Sequence, residues 1–313
     1  MLASFLDHYY ASMKEELSFL EAKRLETCAR VKSSGVYWAI GALFVALVLA
    51  NTFFQEDHLV AFALGTAFGG IGYTVHFRST TQMFHRLFKE HVIGHMVRHM
   101  GLSYDPKGYI PPHLFRQAQW FTQDYDAYTG DDLVLGEIEG VNVTWSDVKV
   151  TYTTRNAKGK TTRHTLFEGI FFVAPFPKHL RSSTWVLPDL AQKVLGDFGT
   201  LVQGFDARGG LVKMDNPAFE RAFVVLSNDQ IEARYLLSPV LMEHLLALKN
   251  QANVPLHVSF IDGKIFLGLA YGKPSFEPSL FRSLETFSTL KEHGHLLGVL
   301  YGVVGLLGLE KKG

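Results

Sequence analysis

Cysteine and charge are both scarce in this sequence. Cys28 is the single cysteine among 313 residues, so no disulfide can form within the chain and a cysteine-based zinc site is not expected. Charged residues make up 19% of the chain, and 30 basic residues balance 30 acidic ones. Nucleic-acid-binding proteins carry clustered basic residues as a patch or stripe. The neutral balance therefore argues against a nucleic-acid partner.

Motifs for familiar enzyme chemistry are also missing. The chain has no GxGxxG motif after a predicted strand, no P-loop, no GxSxG nucleophile elbow and no HExxH or CxxC motif. Four scattered histidines stand at no spacing that predicts a catalytic pair: His164, His179, His244 and His257. The sequence thus predicts no cofactor and leans against an enzyme.

Two long uncharged segments are what the sequence does have. Residues 36–54 and residues 59–77 each contain 19 residues without Asp, Glu, Lys or Arg. A helix needs about 20 apolar residues to cross a membrane. A signal peptide would begin closer to the N-terminus and end at a small-residue cleavage site. Because only four polar residues separate the segments, we predict a hairpin of two antiparallel transmembrane helices.

Basic residues flank this predicted hairpin. The loop between the spans has Glu56 and Asp57 but no Lys or Arg. Short segments rich in Lys and Arg stay on the cytoplasmic side of a membrane, which predicts cytoplasmic termini and an external loop. The flanking basic residues are Lys14, Lys23, Arg24, Arg30, Lys32, Arg78, Arg86, Lys89 and Arg98.

Small residues repeat every four positions on both predicted spans. They are Ala42, Ala46 and Ala50 on the first span, and Ala61, Gly65 and Gly69 on the second. Small side chains at this spacing allow two helix backbones to approach closely in lipid. We therefore expect these two faces to pack together, although alanine and glycine are also common in such helices for other reasons.

The segments next to the spans have a helical pattern. Apolar residues before the first span recur at a spacing near that of a coiled coil. They are Leu6, Tyr10, Met13, Leu17, Leu20, Cys28 and Val31, with Arg24 interrupting them. Residues 81–100 also lack proline and predict a helix. We call the apolar residues before the first span the N-terminal seam. Either the two helices extend the hairpin into the cytoplasm, or the N-terminal seam mediates self-association.

Three histidines form the one metal-like pattern. His91, His95 and His99 recur four residues apart on the predicted helix after the second span, and imidazoles at that spacing can share a zinc ion. The outer two would stand about 12 Å apart along a helix axis, too far to bind one ion together. We therefore predict no metal, and a pair completed by a ligand from elsewhere stays the alternative.

A polar cluster is the other candidate site. Asp229, Glu232 and Arg234 follow an apolar, strand-like run. They could line an unrecognised active site, whereas Asn and Asp at such places more often bond their own backbone. The turn interpretation is the one we favour.

The region after residue 101 has the pattern of a soluble α+β domain. A helix is predicted over His113–Tyr128 and another over Val240–Lys249. Polar turns at Asn156–Lys160 and Asp262–Gly263 predict hairpins, and strands joined by tight turns make a mainly antiparallel sheet covered by helices.

The sequence predicts three regions. Residues 1–100 contain the N-terminal helix, the transmembrane hairpin and a juxtamembrane helix, and residues 101–290 form the soluble cytoplasmic domain. Residues 291–313 form an apolar helix with Gly294, Gly298 and Gly302 four apart. That helix is expected at the membrane interface or docked on the hairpin, and a closing helix of the soluble domain is the alternative.

Three runs carry a family resemblance: FEGIFFVAPFPK (167–178), NPAFERAFVVLSNDQIEARYLLSPVLMEHLLAL (216–248) and VSFIDGKIFLGLA (258–270). With the two-span hairpin and the stretch DAYTGDDLVLGEIEGVNVTWSDV (126–148), they resemble the bacterial domain-of-unknown-function family numbered 3137. The residues that carry the likeness are Gly136, Phe167, Gly169, Phe219, Phe223, Asp229, Ala233, Arg234, Tyr235 and Pro239. The resemblance implies a bacterial inner-membrane protein and no particular activity.

Three functional hypotheses follow. The first is a non-enzymatic, membrane-anchored interaction or scaffold protein that binds a protein partner or the bilayer surface. The second is a membrane-bound enzyme with a site near Asp229, Glu232 and Arg234, and the third is a subunit of a larger membrane complex.

Overall fold

The computed structural model describes residues 13–53, 57–178, 180–189, 209–284 and 287–307. The chain divides into two compact units, and each is described by itself. The hairpin unit comprises Met1–Ile93 and Glu277–Glu292, and the sheet unit comprises Gly94–Phe276 and His293–Gly313. N-terminal helices followed by an antiparallel sheet with helices confirm the predicted α+β class.

Two long helices dominate the hairpin unit. Helix α1 spans Lys14–Thr52 and helix α2 spans His58–Phe88. Both are long and apolar enough to cross a membrane, and both continue past the apolar segments as predicted. A π-helical turn, Lys89–Ile93, follows α2, and helix α3, Gly94–His99, is already part of the sheet unit.

The two helices pack through their small residues, as predicted. Ala46 and Ala61 are 1% and 0% exposed. A Cβ atom added to Gly65 would lie 2.6 Å from the Cβ of Ala46, and one added to Gly69 would lie 2.5 Å from the Cβ of Ala42. Carbon atoms normally stand about 3.5–4.0 Å apart at contact. The helix backbones therefore approach as closely as only glycine permits.

The N-terminal seam is buried inside the hairpin unit. Met13, Leu17, Leu20 and Val31 are at most 2% exposed, while Leu6 and Tyr10 lie outside the described residues. Other buried residues of the same unit are Phe84, Phe88, Val92, Leu280 and Leu284.

Arg24, which interrupts the seam, is buried with an acidic partner. Its Nη2 and Nε atoms donate to the Glu21 carboxylate over 2.7 and 2.9 Å, and its Nη1 donates to the Leu280 carbonyl over 2.6 Å. The Leu284 backbone N–H also donates to Glu21 over 2.9 Å. The Arg24 hydrogen bond is the largest influence that lowers the pKa of Glu21 to about 2. The charges are thus neutralised and hydrogen-bonded, as burial requires.

The sheet unit is built on nine antiparallel strands in the order β1-β2-β3-β4-β9-β8-β5-β7-β6. The strands are β1 Ser103–Asp105, β2 Ala127–Ile138, β3 Val141–Arg155, β4 Thr161–Pro175, β5 Thr184–Pro188, β6 Gly210–Leu211, β7 Phe223–Ser227, β8 Leu256–Ile261 and β9 Lys264–Leu269. Four helices that lie whole in this unit are α4 Pro112–Ala118, α5 Pro217–Glu220, α6 Gln230–Leu236 and α7 Pro239–Ala252. Helix α8, Phe287–Leu306, begins in the hairpin unit and belongs to the sheet unit from His293 onward.

The predicted turns are confirmed. Strands β8 and β9 are joined by Asp262 and Gly263, whose φ angles of 51° and 68° are those of a tight hairpin turn. Asn156 lies in the turn between β3 and β4, where its Oδ1 accepts from the backbone N–H groups of Lys158 and Lys160.

The predicted helix over His113–Tyr128 is wrong beyond Ala118. Helix α4 ends at Ala118 because Gln119 adopts a left-handed conformation with φ 53°. The chain then runs irregularly to Ala127, where β2 begins. The aromatic residues of this irregular segment, Trp120, Phe121 and Tyr125, line a pocket of the sheet unit instead.

The C-terminal helix α8 ends among residues of the sheet unit. From His293 onward it belongs to that unit, and its Leu297, Leu300, Val303 and Val304 side chains are at most 1% exposed. A Cβ atom on Gly302 would meet nothing within 4 Å. The aliphatic side chains rather than this glycine therefore supply the packing of this end of the helix.

Candidate functional site

A short helix followed by an aromatic loop forms a pocket in the sheet unit. Pro112 stands in the first turn of helix α4, a place where the missing N–H of proline costs nothing. After the left-handed Gln119, the loop brings Trp120, Phe121 and Tyr125 back toward the helix.

Hydrogen bonds fix the end of α4 to the sheet. The carbonyl oxygen of Ala118 accepts from the Ser259 hydroxyl over 2.8 Å and from the Trp185 indole N–H over 3.2 Å. The side-chain amide of Gln117 donates to the Asp262 carboxylate over 2.9 Å. The helix that carries the pocket is therefore fixed on rigid strands, an arrangement that keeps a binding site preorganised.

Phe115 is the centre of the aromatic cluster. Its ring centroid lies 5.6 Å from that of Trp120, 6.2 Å from Phe121 and 6.0 Å from Tyr125. On its other side it lies 5.3 Å from the Phe171 ring of β4. Aromatic pairs at such distances stabilise beyond their buried area, so the pocket floor is part of the core.

Trp120 lies directly over a glycine of the sheet. A Cβ atom on Gly268 would come within 2.6 Å of Trp120 Cζ3 and within 3.0 Å of Phe167 Cε2. Only glycine at this strand position leaves room for the indole ring.

The pocket has a cavity volume of about 370 Å³, which lies within the range of small-ligand sites, about 300–1,000 Å³. Phe115 and Trp120 are buried, and the polar rim residues are exposed. The Arg116 guanidinium lies 5.2 Å from the Tyr125 ring centre, a cation–π contact. The lining residues are Phe115, Arg116, Gln119, Trp120, Phe121, Thr122, Gln123, Asp124, Tyr125 and Leu166.

Two buried polar atoms lie at the aromatic floor of the pocket. Trp120 Nε1 and His257 Nδ1 have no hydrogen-bond partner among the described residues. The His257 ring lies 5.6 Å from Trp120 and 5.4 Å from Phe121. Burial lowers the pKa of His257 to about 4, so the imidazole is neutral near pH 7. Buried polar groups of this kind are uncommon and often mark functional places.

The pocket combines two kinds of surface. An aromatic floor with a polar, partly charged rim suits a large apolar or planar group whose edge reaches the rim, as at the centre of protein interfaces. The ten lining side chains contain no Ser, Cys or His, so within this set no nucleophile stands beside a histidine base.

Two members of the predicted cluster at Asp229, Glu232 and Arg234 bond backbone N–H groups. Asp229 is the N-cap of helix α6 and accepts from the N–H groups of Ile231 and Glu232, the favoured role of Asp at this position. Arg234 is exposed on α6. None of the three lines the aromatic pocket.

Glu232 also binds a neighbouring loop. Its carboxylate accepts from the Arg181 backbone N–H over 3.0 Å and from the Ser182 backbone N–H over 2.7 Å. The Ser182 hydroxyl donates to it as well. These hydrogen bonds lower the pKa of Glu232, and the bond from the Arg181 backbone N–H has the largest effect.

The three predicted histidines do not form a metal cluster with other ligands in the part of the chain that is described. The π-helical turn containing His91 breaks the regular helical spacing. His91 Nδ1 lies 3.8 Å from Glu16 Oε1, while His95 and His99 lie on α3.

Three carboxylates converge elsewhere, at a position that sequence reasoning missed. Oxygen atoms of Asp131, Asp132 and Asp147 lie within 4.8 Å of one another, and carboxylates are the ligands that Ca²⁺ and Mg²⁺ prefer. A β-bulge in β2, with Asp132 at φ 57°, brings them together. The Tyr104 hydroxyl donates to Asp132, and the Ser275 backbone N–H donates to Asp147, so the protein itself supplies donors to this cluster.

The hairpin unit has a groove of its own. Its volume is about 440 Å³, and it lies along α1 and α2 between Trp38, Phe62 and Tyr73. Apolar and small side chains line it, including Ala39 and Gly70. Such a surface suits lipid chains or another apolar helix.

Comparisons with known proteins add a family and one distant structure. Residues 165–309 match the family described as "Protein of unknown function (DUF3137)". No curated protein matches the chain. Among solved structures, the mycobacterial trehalose monomycolate transport factor A, TtfA, is similar at 11% identity with a TM-score of 0.34, over 66% of this chain and 93% of that one. A likeness at that TM-score carries no argument about this chain.

Proposed function

We propose a function from the structure, because the family that residues 165–309 match is described only as a protein of unknown function. The protein is a membrane-anchored, non-enzymatic interaction protein. Helices α1 and α2 cross the bacterial inner membrane, and the sheet unit binds a protein partner from the cytoplasmic side through the aromatic pocket.

Exposed apolar side chains on α1 and α2 carry the proposal. The most apolar windows of the two helices are only 11% and 17% buried. Tyr37, Phe44 and Leu59 are 74%, 67% and 82% exposed. A core helix of a soluble protein would bury this surface, and soluble monomers rarely expose apolar patches larger than a few hundred Å². A bilayer supplies the missing cover.

The distribution of charge supports the orientation. The turn between α1 and α2 carries Glu56 and Asp57, while Lys and Arg lie on the far sides of both helices. The positive-inside rule then assigns both termini to the cytoplasm.

The aromatic pocket supports a protein partner. Interface hot spots are enriched in Trp, Tyr and Arg, and this pocket combines a buried Trp120 with a half-buried Tyr125 and an exposed Arg116 on its rim. The partner would insert a large apolar side chain, while its backbone could accept from the rim. A role as one subunit of a larger membrane complex is compatible with this binding mode.

Membrane integration is tested by extraction. We expect the full chain to stay in the membrane pellet after alkaline carbonate and to dissolve only in detergent. Release by carbonate would contradict a spanning hairpin.

Partner binding is tested by photo-crosslinking in cells. A photoreactive residue at Gln123, on the rim, should give one discrete adduct, whereas the same residue at Glu243 on exposed helix α7 should not. Thr122→Trp, which fills the rim without cutting into the buried floor, should abolish the adduct. An adduct unaffected by Thr122→Trp would refute the pocket as the binding site.

A further inference from the structure

A two-stranded ribbon extends from the sheet at the turn between β3 and β4. Strand β2 pairs with β3 only as far as Thr151, and β9 pairs with β4 only from Ile170. Residues Tyr152–His164 therefore pair only with each other. We call them the basic ribbon.

The basic ribbon concentrates positive charge in a neutral chain. Arg155, Lys158, Lys160 and Arg163 lie within it, and no Asp or Glu occurs between Asp147 and Glu168. Residues 153–163 are all exposed. Within the described residues, none of the four cations forms an ion pair. The overall neutrality of the sequence conceals this local patch.

The turn of the ribbon is held in a defined shape. Asn156 Oδ1 accepts from two backbone N–H groups of the turn, and Arg155 Nε donates to the Gly159 carbonyl over 3.3 Å. Below the turn, the Tyr152 and His164 rings stack with centroids 5.0 Å apart. The cations are therefore presented on a folded scaffold, which lowers the entropy lost on binding.

Strand register places the two arginines on one side of the ribbon. Arg155 pairs with Thr161, and Thr153 pairs with Arg163. Residues directly opposite each other point to the same face, and residues two apart share that face. Arg155 and Arg163 are thus diagonal neighbours, a spacing that suits adjacent phosphate groups.

We infer that the basic ribbon binds the phosphates of anionic phospholipids at the membrane surface. Lys and Arg near an anionic bilayer each contribute about a fivefold gain in affinity. The exposed turn offers Ala157 as its one apolar side chain, so contact with headgroups rather than insertion is expected. The inference takes from the proposed function only that the chain resides in a membrane, which keeps the local lipid concentration high.

The test uses the full chain in nanodiscs of zwitterionic lipid, with added vesicles as the probe. Vesicles contain phosphatidylcholine alone or phosphatidylcholine with phosphatidylglycerol. A ribbon variant changes all four cations to Gln, and a matched control changes four other exposed cations of the sheet unit. The ribbon changes are R155Q, K158Q, K160Q and R163Q, and the control changes are K107Q, K213Q, R221Q and R234Q.

Wild type and control should bind the phosphatidylglycerol vesicles at least about tenfold more tightly than the ribbon variant does, and high salt should release them. Phosphatidylcholine vesicles should bind none of the three. Equal affinity of the ribbon and control variants would overturn the inference. Tighter binding of wild type to polyglutamate or single-stranded DNA than to the vesicles would overturn it as well. The two proposals can fail separately. If alkaline carbonate releases the chain from membranes but the chain still binds these vesicles, the membrane anchor is refuted and the ribbon site is not.

Discussion

Two adjacent glycines on α2 give a matched test of the helix pair. A Cβ atom at Gly69 would lie 2.5 Å from Ala42 Cβ and 3.2 Å from the Trp38 carbonyl oxygen, whereas one at Gly70 meets nothing within 4 Å. Carbon contacts need about 3.5–4.0 Å, so Gly69→Ala must push the helices apart by more than about 1 Å. Overpacking of this kind costs about 1–3 kcal/mol.

Gly70→Ala makes the same chemical change where space is open. It should be neutral or slightly stabilising, because alanine favours a helix over glycine by about 1 kcal/mol. Both variants can be compared in detergent by titrating sodium dodecyl sulfate. Energy transfer between dyes on cysteines at Ser33 and Ser79, both exposed, reports helix separation in a Cys28→Ala background.

We expect Gly69→Ala to lose energy transfer at a lower detergent fraction than wild type, and Gly70→Ala to match or exceed wild type. If both variants separate at the wild-type midpoint, the close backbone contact is wrong. A larger loss for Gly70→Ala would mean that the opposite face of α2 is the packed one.

Three further substitutions probe the core. Gly268→Ala should lower the free energy of unfolding by about 1–3 kcal/mol, since its Cβ would lie 2.6 Å from Trp120. Arg24→Met should cost about 3–5 kcal/mol by leaving Glu21 charged and buried. The contribution of this pair is present above pH 4.5 and lost as pH falls toward 2, because the pKa of Glu21 drops from 4.5 to about 2 on folding. His257→Phe should make the free energy of unfolding depend less on pH below 6.5. In wild type the unfolded chain binds a proton at His257 between pH 6.5 and about 4, whereas the folded chain does not. The free energy of unfolding therefore falls by about 1.4 kcal/mol for each unit by which the pH drops in this range.

Thermal and denaturant unfolding at several pH values measure these effects. Gly210→Ala is the control for the sheet glycine, because its Cβ would meet only Gln230 Nε2, at an ordinary 3.6 Å. Equal losses at Gly268 and Gly210 would show that the indole ring can move aside. A pH slope unchanged by His257→Phe would mean that His257 titrates alike in both states.

Local chemistry explains which elements the sequence could predict. Asp262–Gly263 forms its hairpin because both residues accept positive φ angles, and Asn156 holds the other predicted turn by accepting from the Lys158 and Lys160 N–H groups. The apolar spans follow from length and absence of charge. Each of these signals is complete within a few residues of the chain.

The missed features depend on residues far apart in sequence. The pocket needs Gly268 beneath Trp120, and no local pattern links a strand glycine to a loop tryptophan. The predicted helix ends early because Gln119 adopts a left-handed backbone conformation. This conformation is uncommon for residues other than glycine and asparagine, so no signal in the sequence indicated it. The burial of Arg24 could not be predicted for the same reason. One of its hydrogen-bond acceptors, the Leu280 carbonyl, lies 256 residues away in the sequence.

Two engineered cysteines test the membrane anchor and its orientation most directly. One replaces exposed Asp57 in the turn between α1 and α2, and the other replaces exposed Glu243 on α7. A membrane-impermeant maleimide applied to cells with an intact inner membrane should label the cysteine at 57 and spare that at 243, which should react only after lysis. Labelling of 243 in intact cells, with 57 protected, would contradict cytoplasmic termini, and labelling of neither position until detergent is added would contradict a spanning hairpin.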